Sequence, residues 1–501
     1  MSFILTHGNR KGKVIIVDNT LKNQALHEID RKAEQFCRVS DAIFDAPETA
    51  FQEHTAASLL CQALEAEGFT VQRGMAGMDT AFAASFGSGS PKIGILAEYD
   101  ALPNMSQTAG ALEPSPAQKG APGHACGHNL LGGGALAAAV AVKEYLKASG
   151  QPGTVICYGC PGEEGGSGKA FMARDGAFDG LDCALTWHPA TVNIAPPVST
   201  LANYQVSFRF HGTASHAASA PHLGRSALDA LELMNTGVQY LREHIIQEAR
   251  IHYAITNTGG AAPNVVQPEA EAVYLIRAPR AEQVEEIYHR VQKVAQGAAM
   301  MTETQVEETS FKAAYNILPN HTLGGVLGEN LLSLGAPSYT PEEWAWAEAL
   351  NNTIQRPNSL LQTAAGMMGP KGEAMAAAYL GKAIYDVALP YVPVKYVLPS
   401  SSDVGDVSWV CPTAQVATVT MCAGTPGHSW QLAAQGKSSI AHKGMLLAGK
   451  VIAGAAIDLL CQPELLAKAR EEHQKTLGTS RYRPLIPSSV QPMDVLGEPD
   501  A

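Results

Sequence analysis

Four short apolar runs in this chain each close on small or polar residues. Ile93–Ala97 ends at Glu98-Tyr99-Asp100, and Thr154–Tyr158 at Gly162-Glu163-Glu164-Gly165-Gly166. Cys183–Thr186 ends at Trp187-His188-Pro189, and Val416–Met421 at Gly424-Thr425-Pro426-Gly427-His428. Runs of this length bounded by turn residues read as buried strands. Helical stretches separate the first three, among them the apolar, triple-glycine segment Leu130–Tyr145. Such alternation predicts an α/β fold with a mostly parallel sheet covered by helices on both sides. Upstream, Asn23–Glu67 has helical spacing broken by a loop at Asp45-Ala46-Pro47.

The middle of the chain follows a different pattern. Tyr204–Phe210 alternates as a half-exposed strand, Ser226–His244 reads as a helix, Ala270–Arg277 as a second strand and Ala281–Ala299 as a second helix. That set predicts a small α+β domain at 200–312, inserted into a larger domain formed by 22–199 and 313–476. Residues 1–21 read as an extension, and 477–501 as an irregular tail with Ser488-Ser489 exposed.

Composition narrows the function classes. At 501 residues the chain has room for two or three domains. Only 16% of residues are charged, with Ala and Gly filling the difference, which suggests extensive burial and a subunit interface. A net charge of −12 argues against nucleic acid or an anionic membrane as partner. The opening MSFILTHGNRKGK does not read as a secretory signal. No apolar stretch runs uninterrupted for about 18 residues, so no membrane span is expected. Nine scattered cysteines fit a reducing compartment, and a cytoplasmic location is expected.

The polar residues that carry chemistry gather at the C-terminal ends of the expected strands, the edge where open α/β sheets bind ligands. Cys126-Gly127-His128 precedes the Leu130 helix, and alone it reads more readily as a buried thiol beside a satisfied imidazole than as a metal site. Glu163-Glu164 places two repelling carboxylates side by side, an arrangement that suits one ligand and one proton acceptor. His188 and His428 each follow an apolar run. Together, Cys126, His128, Glu164, His188 and His428 supply the S, N and O donors of a binuclear site for zinc or another divalent transition ion. Two features read as decoys. Cys157-x-x-Cys160 lies at a strand, where residues three apart face opposite ways, and GGSGKA lacks the spacing of a phosphate loop.

Six ordered segments resemble the metal-dependent aminoacylase and carboxypeptidase (amidohydrolase) family. They are EYDALP (98–103), PGHACGHNLLGGG (122–134), PGEEGGSGKA (161–170), TWHPA (186–190), SSDVGDVSW (401–409) and GTPGHSW (424–430), and they look most like its p-aminobenzoyl-glutamate hydrolase branch. The resemblance spans roughly residues 22–475. It implies that Cys126, His128, Glu164, His188 and His428 are the metal ligands, that two divalent ions (zinc or manganese) are bound, and that Glu163 is the general base. It also implies that the inserted domain is a lid and dimerisation domain. His216, in GTASHAASAPHLGRSALDA, would cross the interface of a homodimer or higher homo-oligomer into the partner's site. Asn264 and Arg277 would grip a substrate carboxylate. Many relatives have His-x-Asp where this chain has Glu98-Tyr99-Asp100, and Asn129 departs from the Asp of the auxin-conjugate branch.

The expected activity is hydrolysis of an amide in an N-acyl- or N-aroyl-amino acid bearing a free carboxylate, by metal-bound water with Glu163 as base. Its rivals are a dipeptidase acting on β-alanyl or basic dipeptides, a non-catalytic peptide- or metal-binding homologue, and a cysteine hydrolase using Cys126.

Overall fold

The computed structural model describes residues 19–355 and 369–496. Most of the 1–21 extension and the end of the tail therefore lie outside the described residues. The strands of the described residues are β1 (Thr70–Arg73), β2 (Phe82–Ser88), β3 (Lys92–Ala97), β4 (Gly153–Gly159) and β5 (Cys183–Ala190). They continue with β6 (Ala202–His211), β7 (Arg250–Asn257), β8 (Glu269–Ala278), β9 (Gln305–Ala314) and β10 (Thr413–Val419).

Six of these form one sheet in the order β1-β2-β4-β3-β5-β10. The four strands β4, β3, β5 and β10 are parallel, whereas β1 and β2 add an antiparallel edge. The mostly parallel sheet expected from the apolar runs is thus present. In β5 the strand does not stop at Thr186. Trp187–Ala190 stays in register with Val416–Val419, so His188 lies within the strand and not beyond it. Pro189 is tolerated there because β3 pairs only with Cys183–Leu185, leaving the far half of β5 open on that side.

The remaining strands form a second, antiparallel sheet in the order β7-β8-β6-β9. Even-numbered residues of β6 and β8, including Val206, Phe208, Tyr274 and Ile276, are buried. They share a core with Leu231, Met234 and Val238 of the helix Ala227–Leu241 and with Val284, Ile287 and Val291 of the helix Ala281–Thr302. The edge strands β7 and β9 escaped the sequence reading because they are largely polar or exposed, and so lack the apolar run that marks a central strand. The tail beyond Leu477 is mostly irregular and Ser488-Ser489 is exposed, but Leu485 and Ile486 are buried in the same core.

The helix His128–Ser149 crosses from β3 to β4 and is buried nearly all round. Its three glycines make that burial feasible. A Cβ on Gly132 would meet the Glu98 carbonyl at 3.2 Å, one on Gly133 the Met445 sulfur at 2.6 Å, and one on Gly134 the Trp187 indole at 2.7 Å. The helix can therefore press against the sheet and against the helix Ser439–Cys461, which holds Met445. Ser439–Cys461 has the length and apolarity of a membrane span, but it is buried in the core.

Trp187 is fixed by its own hydrogen bond, Nε1–H to the Leu131 carbonyl at 3.0 Å, so its ring cannot yield to a larger neighbour. Gly134→Ala is expected to destabilise the protein by about 1–3 kcal/mol through overpacking. Urea denaturation would check this; an unchanged midpoint would contradict the close approach.

Candidate active site

The crossing of β3, β4, β5 and β10 sets where the polar side chains meet. Glu98 and Asp100 follow β3, Glu163 and Glu164 follow β4, His188 lies in the C-terminal half of β5, and His428 follows β10. All four strands point the same way, so their C-terminal loops share one edge. Cys126 and His128 join them from the start of the helix His128–Ser149. Gly127, with φ +80°, makes the left-handed turn between them. His428 is itself left-handed at φ +52°, an uncommon conformation for a non-glycine residue, and its N–H is tied to the Ala125 carbonyl at 3.1 Å.

Donor atoms of Cys126, His128 and His188 lie within 4.8 Å of one another, and those of Cys126, Glu164 and His428 do the same. The five side chains picked from the sequence thus converge on two groups that share Cys126. Around them, hydrogen bonds fix the imidazoles. His128 Nδ1 is 2.7 Å from Asp100 Oδ1, while Asp100 Oδ2 accepts the Glu164 N–H at 2.9 Å. His188 Nδ1 lies 2.8 Å from the Pro189 carbonyl, which turns Nε2 toward Cys126 Sγ at 3.6 Å. His128 Nε2 is left buried with no hydrogen-bond partner. Oriented from behind by Asp100, with a thiol and a second imidazole beside it and Glu98 Oε2 3.4 Å away, this ring nitrogen fits a divalent transition ion. Burial pushes the Cys126 thiol up, so a thiolate there needs a cation beside it.

The paired glutamates occupy different surroundings. Glu164 Oε1 is 3.1 Å from His428 Nε2. Burial would raise the Glu164 carboxyl, but the His428 hydrogen bond and the charge of His128 overcome it and hold the pKa at about 2. Glu163 instead joins a third donor group with Glu98 and His128. Burial, reinforced by the charges of Glu98 and Glu164, pushes its carboxyl well above the usual range.

The sequence reading missed the support behind this cluster. Lys169 Nζ is fully buried between Glu98 Oε1 at 2.7 Å and Asp403 Oδ1 at 2.6 Å, and its own N–H donates to Asp403 Oδ2 at 2.8 Å. Burial works against the ammonium, yet Asp403 and Glu98 hold its pKa well above normal. The lysine of GGSGKA is the ion-pair partner of two acids beside the donor groups. Lys312 was also missed. Its Nζ donates to the Glu164 carbonyl at 3.0 Å, and burial lowers its pKa. Asn129 Nδ2 reaches Ser40 Oγ and the Gly436 carbonyl, a purely structural tie. Cys157 and Cys160 are buried free thiols.

A cavity of about 700 Å³ opens over Cys126, Glu163, Glu164, His188 and His428. Arg277 lines its far wall, with Nη1 3.4 Å from Ser401 Oγ. His216 and Asn264 do not line it. They sit together on exposed loops of the second sheet, where His216 Nδ1 accepts the N–H groups of Ala218 and Ser219 at 3.2 and 3.1 Å and the Asn264 carbonyl accepts that of Ala217 at 3.0 Å.

Thiol, imidazole and carboxylate donors at the C-terminal edge of such a sheet define a metal-dependent amidohydrolase, and the chain belongs to the peptidase family M20/M25/M40, whose sequence profile matches residues 94–362. Within that family it is 49% identical over 467 residues to a subunit of the p-aminobenzoyl-glutamate hydrolase of Escherichia coli (strain K12), covering 93% of this chain and 97% of that protein. The mouse Xaa-Arg dipeptidase is 35% identical over 329 residues, 63% of this chain and 72% of that protein. The aminobenzoyl-glutamate utilization protein of Klebsiella pneumoniae shares the fold, with a TM-score of 0.56 at 16% identity over 87% of this chain and 98% of that one.

Removing the Lys169 ammonium would leave Glu98 and Asp403 buried without their counter-charge. Lys169→Met is expected to cost about 3–5 kcal/mol of stability, measured by denaturant unfolding. A loss below about 1 kcal/mol, the range of exposed pairs, would contradict the triad.

Proposed function

We propose that this chain hydrolyses the amide bond of N-acyl- or N-aroyl-amino acids of the aminobenzoyl-glutamate type, with Glu163 as general base. The observation that carries this reading is the separation of the paired glutamates. Glu164 is committed to His428, whereas Glu163 faces the same cavity outside the two groups built on Cys126. Cys126, His128, Glu164, His188 and His428 would hold two divalent ions, zinc or manganese. When bound, such ions acidify water and polarise a carbonyl.

The chain's own residues supply the rest. Glu163 takes a proton from the attacking water and returns it to the leaving amine. Arg277 orients the free carboxylate from the cavity wall through a planar guanidinium suited to two parallel hydrogen bonds. His216 and Asn264 act from a neighbouring subunit, His216 on the developing oxyanion and Asn264 on the carboxylate. Their exposed, paired position is consistent with that role. Residues 200–312 then serve as lid and interface, and 22–199 with 313–476 as the catalytic domain. The Escherichia coli relative is named as one subunit of its enzyme, so the neighbour is either a second copy or a related chain. Nine free cysteines support a cytoplasmic location. The likeness to Xaa-Arg dipeptidase favours a second reading, cleavage of basic dipeptides at the same site.

Glu163→Ala is expected to keep its metal content while turnover falls about 100- to 10,000-fold, the span of general-base catalysis. Metal analysis and steady-state hydrolysis of N-benzoyl-glutamate check both halves, and loss of metal together with activity would contradict the division between Glu163 and Glu164. A mixture of His216→Ala and Glu163→Ala proteins, allowed to exchange subunits, is expected to regain part of the activity each lacks. No recovery despite exchange proven by mass would count against a site shared between copies of this chain.

A further inference from the structure

The cavity has one wall from the second sheet, and that wall is cationic. Asn203 of β6, Leu275 and Arg277 of β8, and Lys312 and Ala314 of β9 all line it. The registers explain why these side chains share a face. Asn203 sits opposite Arg277 on one side and Ala314 on the other, and Gln205 sits between Leu275 and Lys312. The even-numbered face of β6 and β8 is committed to the helices, so the odd-numbered face of β6 and β8, with Lys312 and Ala314 beside it, is left for the ligand.

Among the described residues, neither cation on this wall is matched by a side-chain carboxylate. Arg277 Nε is buried with no hydrogen-bond partner, and the bond from Nη1 to Ser401 Oγ is long at 3.4 Å. Lys312 uses one donor on the Glu164 main-chain carbonyl, and an ammonium has three. The acids that line the cavity are engaged elsewhere. Asp403 belongs to Lys169, Glu164 to His428, and Glu163 lies with Glu98 and His128. Much of the remaining wall is apolar, with Ile194, Val198, Val392 and Leu398 available to an acyl or aryl group. Among the described lining residues, a basic amino-acid side chain entering here would find only Glu163 without an ion pair, and that carboxyl belongs to the proposed hydrolytic centre rather than to this wall. A substrate with a single carboxylate would satisfy Arg277 and leave Lys312 unmatched.

Resting on the hydrolase reading above, we infer that Lys312 is a specificity-determining residue: with Arg277 on the α-carboxylate, it selects amides whose amino acid carries a second carboxylate on its side chain. The two cations stand on strands separated by β6, roughly 10 Å apart at the backbone. Two long side chains converging from that distance can hold the two carboxylates of a glutamate-sized residue.

The test compares N-benzoyl-glutamate, N-benzoyl-glutamine and N-benzoyl-arginine on the metal-loaded full chain. The glutamine compound has nearly the same shape without the charge. Wild type is expected to favour glutamate over glutamine by about 10- to 100-fold in kcat/KM, the worth of a charge-assisted hydrogen bond, and to disfavour arginine further. In Lys312→Met the glutamate-to-glutamine ratio is expected to fall to near one, mainly through KM for glutamate, while Lys312→Arg keeps most of it. A ratio is internal to each variant, so a partly unfolded preparation does not imitate the effect. Binding of the same compounds to Glu163→Ala and Glu163→Ala/Lys312→Met, followed by calorimetry, reads the preference without turnover. A binding ratio that depends on Lys312 in a protein that hydrolyses none of the compounds would sink the hydrolase reading and keep the dicarboxylate site. A ratio unchanged by Lys312→Met, or a wild type that takes glutamine or arginine as readily as glutamate, would overturn the inference.

Discussion

The structure depends on balancing negative charge where little water reaches. Glu98, Asp100 and Asp403 are buried, Glu163 and Glu164 are partly so, and all five approach the thiol of Cys126 or the His128 imidazole within a few contacts. Unpaired anions in such surroundings carry a desolvation cost that hydrophobic contacts nearby do not offset. Lys169 answers part of it by neutralising Glu98 and Asp403 through ion pairs of 2.7 and 2.6 Å. Asp100 is satisfied by a ring nitrogen and a main-chain N–H. What remains is the set on Cys126, which divalent cations would complete.

That arrangement requires segments distant in sequence to be held to within hydrogen-bond tolerance, and the packing behind the site does so. The helix that begins at His128 is pressed onto the sheet through three glycines, with Trp187 of β5 on one side and Met445 on the other. The neighbour of Trp187 is His188, so the packing that fixes the helix also fixes a donor on the adjacent strand. Backbone links do the same between loops, as when the His428 N–H bonds the Ala125 carbonyl one residue before Cys126.

Much of this was legible in the sequence, for a physical reason. Parallel strands buried on both faces leave near-continuous apolar runs, and their C-terminal ends converge, so Glu164, His188 and His428 could be placed together from their positions relative to those runs, with Cys126 at the start of the Leu130 helix. Other parts left no such signal. Strands β7 and β9 are edges without a long unbroken apolar run, since His252 interrupts Ile251, Tyr253 and Ile255 in β7 and β9 is largely polar. The extension of β5 through His188 and Pro189 was hidden because a proline ordinarily ends a strand, and only the pairing partner reveals that one side is open. Lys169 and Asp403 stand 234 residues apart, and no periodicity announces an ion pair formed across that separation. Lys312 stands in a segment with no apolar run, and only its register opposite Gln205 puts it on the face that lines the cavity.

The division of labour between the two sheets follows from their different chemistry. The parallel sheet offers loop ends and buried acids, which suit bond breaking. The antiparallel sheet offers a rigid face on which side chains alternate, which suits recognition, and it places Arg277 and Lys312 there. Across the cavity, among the described residues, Arg277 bonds Ser401 Oγ at 3.4 Å and Lys312 the Glu164 carbonyl at 3.0 Å. Both contacts are of the kind a substrate carboxylate can replace with stronger, charge-assisted bonds. Under the proposed reaction, a substrate that carries its carboxylates to that wall brings the sheet holding Arg277 against the sheet holding Glu163. Lys312 lies at the junction, since the atom it touches is the main-chain oxygen of Glu164, next to the proposed base and within the proposed metal shell. Recognition of the amino acid and alignment of the hydrolytic residues thus meet at one contact.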